Sequence, residues 1–337
     1  MRAAVITEFG APLSIEQRPI PVPGAGQVQV RVEACGLCRT DIHAARGDWP
    51  MKPSLPLIPG HEAVGKVVGL GPGEHDLRLG ERVAVPWLGW ACGRCEYCLS
   101  GSEALCRRRR NTGYDIDGGF AEYLTASEHF VVKVPSGVDP LDAACLSCAG
   151  LSAYKAVLSS GAGPADLTAV FGVGGLGHLA VQYAAIVGAS VVGIDVATAK
   201  LEMAASLGAR RVINATATDP VEAIQAMGGA SQAIVAAASH TAADQALASL
   251  RPGGTLVLLA MPADSTLRLP IAETVHSGIT VIGSIGGSRV DLARVFALQA
   301  QGRTRVVHQA RVLSQVNQAM AEVEADMVAA RLVFEFR

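Results

Sequence analysis

Aromatic side chains make up only 4% of the 337 residues, so each of the three tryptophans calls for a reason. Charge is also sparse. Only 17% of residues are charged and the formal net charge is −2, which leaves no global attraction to nucleic acid or to an anionic membrane. With half of the residues hydrophobic, the composition is that of a globular chain rather than a disordered one. No apolar run reads as reaching the ~18 residues a membrane span needs. The opening segment MRAAVITEFG reads straight into a strand and lacks the apolar core and cleavage site of a signal peptide. The expectation is a soluble, cytoplasmic protein with no nucleic-acid or membrane partner. In such a setting thiols stay reduced, so the eight cysteines point to metal before disulfides.

The length suggests two domains. The first part is β-rich and broken often by Gly and Pro: QVQVRVEA alternates apolar and polar residues, and HEAVGKVVGL and ERVAVPW are further strands. Near residue 150 the pattern changes. Six apolar strands, TAVFGV, SVVGID, RVIN, QAIVAAA, TLVLLA and TVIGSI, alternate with helical stretches, which predicts a parallel, doubly wound α/β sheet. The tail adds helices over 291–301 and 315–324 and a last strand, RLVFEF.

Gly172, Gly174 and Gly177, with Gly175 and Leu176 between them, form G-x-G-x-x-G directly after a strand and before a helix. In that context the glycines let the backbone approach a pyrophosphate seated on the helix N-terminus. Asp195 ends the next strand. A carboxylate there accepts hydrogen bonds from an adenosine ribose and repels a 2′-phosphate, which favours NAD over NADP. The alternative is a structural turn with a surface Asp.

Cys92, Cys95, Cys98 and Cys106 form C-x2-C-x2-C-x7-C. Four thiolates this close in sequence can close a tetrahedral structural zinc site. A ferredoxin-type cluster run has a shorter last gap and a following Pro, both absent. Cys38, His61 and Cys148 are scattered, and spacing does not unite them. Singly, the cysteines read as buried thiols and His61 as a satisfied core histidine. The four consecutive arginines Arg107 to Arg110 read as a solvated loop face.

GLCRTDIHA, GHEAVG, the four-cysteine lobe, LSCAGLSAYKA, GVGGLGH and GSIGGSR occur in this order along the chain. Over its whole length the chain resembles the zinc-dependent medium-chain alcohol dehydrogenases. RGDWP, PWL and NTGYDIDGGFAEY make it most similar to the short bacterial and yeast-type forms, the propanol-preferring ones among them. The resemblance implies a Rossmann domain inserted in a β-rich, GroES-like catalytic domain: 1–149 catalytic, with the zinc lobe at 92–106, 150–287 NAD-binding, and 288–337 returning to the catalytic domain.

It further implies two zinc ions per chain, one held by the four-cysteine lobe and one by Cys38, His61 and Cys148, the ligand set known for alcohol dehydrogenase. Asp41 would orient His61, and Glu62 would assist ligand exchange. Cys35 and Cys145 offer an alternative all-cysteine set with Cys38 and Cys148; buried small residues is the preferred reading. Arg39 and Arg289 match positions that hold the pyrophosphate, and Lys200 one beside the adenosine ribose. Zinc would make the alcohol proton easy to remove. Thr40 would take that proton and pass it through the nicotinamide ribose to His43, while hydride goes to the nicotinamide. Trp49 and Trp87 match pocket positions, which implies small primary alcohols and their aldehydes as substrates. A polyol or secondary-alcohol dehydrogenase and a non-catalytic, lens-type relative are the alternatives. Polyol members often lack a complete four-cysteine lobe, and non-catalytic relatives usually lose catalytic ligands; both features are intact here. A homotetramer is the usual assembly of the similar short forms, with a dimer as the alternative.

Overall fold

The computed structural model describes residues 1–262 and 266–336. Contacts divide the chain into two units: Met1–Leu151 with Gly286–Gly302 and His308–Arg337, and Ser152–Ile285 with Arg303–Val307.

The first unit is built on a seven-stranded sheet around the long strand Gln27–Leu37. Alternation in QVQVRVEA becomes alternating burial at the start of that strand, and its end is buried on both faces. Antiparallel to it lie Ala63–Leu70, Tyr123–Ser127 and the C-terminal strand Arg331–Glu335, whose Phe334 pairs with Cys35. The core between these strands is small and aliphatic, with Phe120 set edge-on to Phe334 at 4.9 Å between ring centroids. The helix Arg39–Arg46 follows the central strand directly, so its start is fixed to the sheet.

The second unit is a six-stranded parallel sheet. Taken in chain order, its strands lie as 3-2-1-4-5-6 across the sheet, the order of a classical dinucleotide-binding fold. Ala230–Val235 is buried at every position, as a central strand with both faces covered must be. The helix Gly177–Ile186 is buried for eight of its ten residues, which explains why its apolar residues show no single face.

The run Pro140–Ser160 corrects one expectation. With Asp142 and Lys155 as its only charges, it is long and apolar enough to cross a membrane by length and composition, although 61% of its window is buried inside the protein. Cys148 sits in its middle, where the helix widens into a π turn over Leu146–Gly150. Such π turns often mark functional positions in helices. This is a core helix whose apolar character serves packing.

Candidate active site and cofactor site

Three separate segments bring Cys38, His61 and Cys148 together. Cys38 caps the helix Arg39–Arg46, His61 precedes the strand Ala63–Leu70, and Cys148 lies on the π turn. Asp41 ties the first two segments. Its carboxylate accepts from the Cys38 backbone N–H at 2.9 Å, from the Gly60 N–H at 3.1 Å, and meets His61 Nδ1 at 2.9 Å. With Nδ1 occupied, His61 turns Nε2 toward Cys148 Sγ, 3.3 Å away. This is how a carboxylate orients a metal-binding imidazole. The donor atoms of Cys38, His61, Glu62 and Cys148 all lie within 4.8 Å of one another. The Cys148 thiol donates to Cys38, which favours thiolate at Cys38.

Glu62 is fully buried, and burial lifts its carboxyl to about 7 against the pull of Arg331. Arg331 comes from the last strand and pairs with Glu62 Oε1, while Glu62 Oε2 has no partner. Two soft thiol donors, an oriented imidazole and an orphaned buried carboxylate oxygen fit a zinc ion with an exchangeable position. Cys35 and Cys145 stay outside this cluster. Burial pushes the Cys35 thiol far up and that of Cys145 up to about 12, so both behave as core residues.

A chain of aromatic rings runs from the cluster to His43. Trp87 stands edge-on to His61 at 5.1 Å between centroids, and Trp49 stacks on His43 at 5.5 Å. Tyr114 stands between the two indoles, 5.4 Å from Trp49 and 5.7 Å from Trp87, and its hydroxyl donates to the Met51 carbonyl. Thr40 is half-buried at the start of the same helix as His43. Sequence reasoning singled out neither Tyr114 nor Arg331, although Tyr114 lies within the quoted NTGYDIDGG motif.

The four-cysteine lobe closes on itself. All four sulfurs lie within 4.8 Å of one another, and the thiols are free. Cys95 and Cys98 are 3.5 Å apart and Cys92 and Cys98 3.9 Å. These spacings bracket the roughly 3.8 Å between sulfurs of a tetrahedron with zinc–sulfur bonds of about 2.3 Å. The backbone N–H of Arg94 and then the Arg108 guanidinium pull the Cys92 thiol down to about 5. The arginine run is for the most part a solvated face. Arg107, Arg108 and Arg110 are exposed, while Arg109 is half-buried and donates to the Cys106 carbonyl at 3.3 Å.

In the second unit the glycine loop follows the strand Leu167–Phe171 and opens the helix Gly177–Ile186. Gly172 has φ +85°, and a Cβ there would lie 2.6 Å from that of Ala237; one on Gly177 would lie 1.8 Å from the Gly172 carbonyl oxygen. Only glycine fits either place. Asp195 does more than end its strand. Its carboxylate accepts from Val173 N–H at 2.9 Å, from Val196 N–H at 2.8 Å and from Ala197 N–H at 3.1 Å, holding the glycine loop as well as the turn after it. The register places Asn214 beside Asp195 and Arg211 beside Val192. Arg211 therefore lies three residues away, about 10 Å along the strand. Lys200 is buried in the helix Thr198–Ser206.

The expected pyrophosphate arginines hold other partners within the first unit. Arg39 donates to the Val323 carbonyl at 3.2 Å. Arg289 forms a two-pronged pair with Glu103 at 2.7 and 3.2 Å and lies over the Phe130 ring at 4.9 Å.

Known proteins share this arrangement. Residues 24–136 match the family described as alcohol dehydrogenase GroES-like domain, and residues 175–301 the family described as zinc-binding dehydrogenase. An alcohol dehydrogenase of Geobacillus stearothermophilus is 44% identical over 100% of this chain and 99% of its own length. The crystal structure of the alcohol dehydrogenase from Aeropyrum pernix superposes with a TM-score of 0.92 at 32% identity, covering 100% of both chains. The acetophenone reductase of Geotrichum candidum, solved in complex with NAD, has a TM-score of 0.89 at 28% identity over 99% of this chain and 97% of its own. These matches place the chain in a known class, the zinc-binding dehydrogenases. Within that class the chain belongs to the zinc-dependent medium-chain alcohol dehydrogenases, enzymes that pair zinc with NAD.

Proposed function

We propose that this enzyme reversibly oxidises short primary alcohols to aldehydes with NAD in preference to NADP. The observation that carries the reading is the gathering of Cys38, His61 and Cys148 beside the Trp87 ring. Those three residues would hold the catalytic zinc, and Cys92, Cys95, Cys98 and Cys106 the structural one. When bound, zinc supplies the Lewis acidity that makes an alcohol proton easy to remove, and the nicotinamide accepts hydride. Asp41 orients His61, and Glu62 offers an exchangeable donor through Oε2. The Thr40 hydroxyl accepts the alcohol proton, and His43 receives it at Nε2 on its way to solvent. Gly172, Gly174, Gly175, Leu176 and Gly177 cradle the pyrophosphate, with Arg39 and Arg289 as its cations once they release their present partners. Asp195 and Lys200 meet the adenosine ribose. The free thiols fit a reducing, cytoplasmic setting.

Trp49 and Trp87, spaced by Tyr114, leave room for a slim chain and exclude bulk at the carbon bearing oxygen. Ethanol, propanol and butanol should therefore outrun 2-propanol. The preference should be graded, because pocket contacts discriminate by only about 1–3 kcal/mol per methylene. The test is kcat/KM for ethanol, butanol, 2-propanol and benzyl alcohol, with NAD and NADP. Trp87→Ala should raise benzyl alcohol relative to ethanol by roughly tenfold. An unchanged ratio would remove Trp87 from the pocket, and equal use of 2-propanol would favour the secondary-alcohol reading.

The strand Thr280–Gly283 ends the parallel sheet. Near this edge in sequence, Ile271 is 79% and Val275 73% exposed. A second copy of this chain is the occupant we infer, since identical edge strands can pair about a two-fold axis. Two such dimers would make the homotetramer. Sedimentation velocity should show an oligomer, and a monomer would overturn the pairing.

A further inference from the structure

The RGDWP segment folds back onto the helix that carries His43. The helix Arg39–Arg46 ends at Gly47 in a left-handed conformation, φ +66°, with the Gly47 N–H on the Ala44 carbonyl at 3.3 Å and the Asp48 N–H on the His43 carbonyl at 3.2 Å. A side chain on Gly47 would meet the Phe9 ring at 2.9 Å. This turn folds the chain back onto its own helix. It sets Asp48 Oδ2 2.7 Å from His43 Nδ1 and lays Trp49 on the face of the same imidazole. His43 is thus held on one edge and one face. Its other nitrogen, Nε2, is buried and without a partner. The two side chains differ in access to water: 12% of the His43 side chain is exposed and 27% of that of Asp48.

We propose that Asp48 is the positioning carboxylate of the proton relay. It accepts the Nδ1 proton of neutral His43, which selects the tautomer whose Nε2 carries the lone pair. The inference rests on His43 acting as the relay's outer base, as proposed above. In alcohol oxidation the substrate O–H bond breaks and, at the end of the relay, an N–H bond forms at Nε2. The imidazolium then sits against the Asp48 carboxylate and returns one proton to solvent; aldehyde reduction runs the same transfer backwards. A carboxylate that holds a histidine in one tautomer and ring orientation is the arrangement of the hydrolase triads, reached here through a helix-ending turn. The other charged groups nearby are otherwise engaged or turned away. Arg46 pairs with Glu324 at 2.5 Å, Arg39 donates to the Val323 carbonyl, Asp41 is committed to His61, and Lys52 lies over Phe9. Asp48 is the acidic side chain in contact with the ring among the described residues.

The test is a double-mutant cycle on the zinc-loaded enzyme: wild type, Asp48→Asn, His43→Gln and both together, each assayed for ethanol oxidation over a series of imidazole concentrations. Asp48→Asn should lower kcat/KM about fivefold, added imidazole should restore most of that loss, and Asp48→Glu should retain more activity than the asparagine variant. In the His43→Gln background, Asp48→Asn should cost nothing further. A carboxylate that only stabilises the turn would cost the same factor in both backgrounds, without rescue, and that result would overturn the proposal, as would no loss in the single variant. If His43→Gln itself shows no imidazole-responsive loss, the relay reading of His43 falls, which the cycle separates from a failure of Asp48 alone.

Discussion

Replacing Cys148 with serine is expected to abolish turnover and leave the fold standing. The hydroxyl is nearly the volume of the thiol, and the residue is only half-buried on the π turn, so packing changes little. The chemistry changes greatly. Cys148 supplies one of two sulfur donors in a cluster whose remaining atoms are an imidazole and the Glu62 carboxylate. A serine hydroxyl is a poor zinc ligand. Losing Lewis acidity worth several kcal/mol lowers kcat by about three orders of magnitude. Far-UV circular dichroism and thermal unfolding should stay close to wild type, because the lobe Cys92–Cys106 forms its own closed set. A variant that retained a tenth of the activity would show that Cys148 is not needed at the reacting centre.

Asp195→Gly should reverse or erase the preference for NAD. A phosphate on the ribose 2′ oxygen near this carboxylate meets a like charge in a partly desolvated place. At an effective dielectric near 20 that repulsion amounts to about 1–4 kcal/mol, which is one to nearly three orders of magnitude in kcat/KM. The same carboxylate accepts three backbone N–H groups, one of them from Val173 in the glycine loop. NAD use should therefore fall as well, by about tenfold for lost hydrogen bonds to a charged acceptor. Asp195→Asn separates the effects, since it removes the charge and keeps an acceptor oxygen. It should improve NADP use with a smaller loss on NAD. Wild-type enzyme that used NADP as readily as NAD would refute the role given to Asp195.

Local features of the site were legible in the sequence; distant ones were not. The glycine loop and the four-cysteine lobe are each contained in a short segment, so residue type and spacing speak for them directly. The Rossmann strands also read well, because each is a short apolar run bounded by turn residues and parallel strands are buried on both faces. Cys38, His61 and Cys148 come from three segments joined only by folding, and family resemblance alone had grouped them. Arg331 lies beyond any local pattern: its strand pairs with Gln27–Leu37 from the far end of the chain, which places the guanidinium on Glu62. Tyr114 reaches the tryptophans through a loop whose contacts no periodicity encodes. Asp48 carries no signal of its own within RGDWP, because the turn that brings it to His43 depends on Gly47. A row of like charges reads as solvated, and Arg107, Arg108 and Arg110 are exposed.

Two separate sets of ligands call for two zinc ions, and zinc content per chain tests that most directly. Elemental mass spectrometry of freshly purified, unchelated enzyme should find two zinc ions in the wild type. It should find one in Cys148→Ser, retained by the lobe. One zinc in the wild type, or iron in place of zinc, would contradict it.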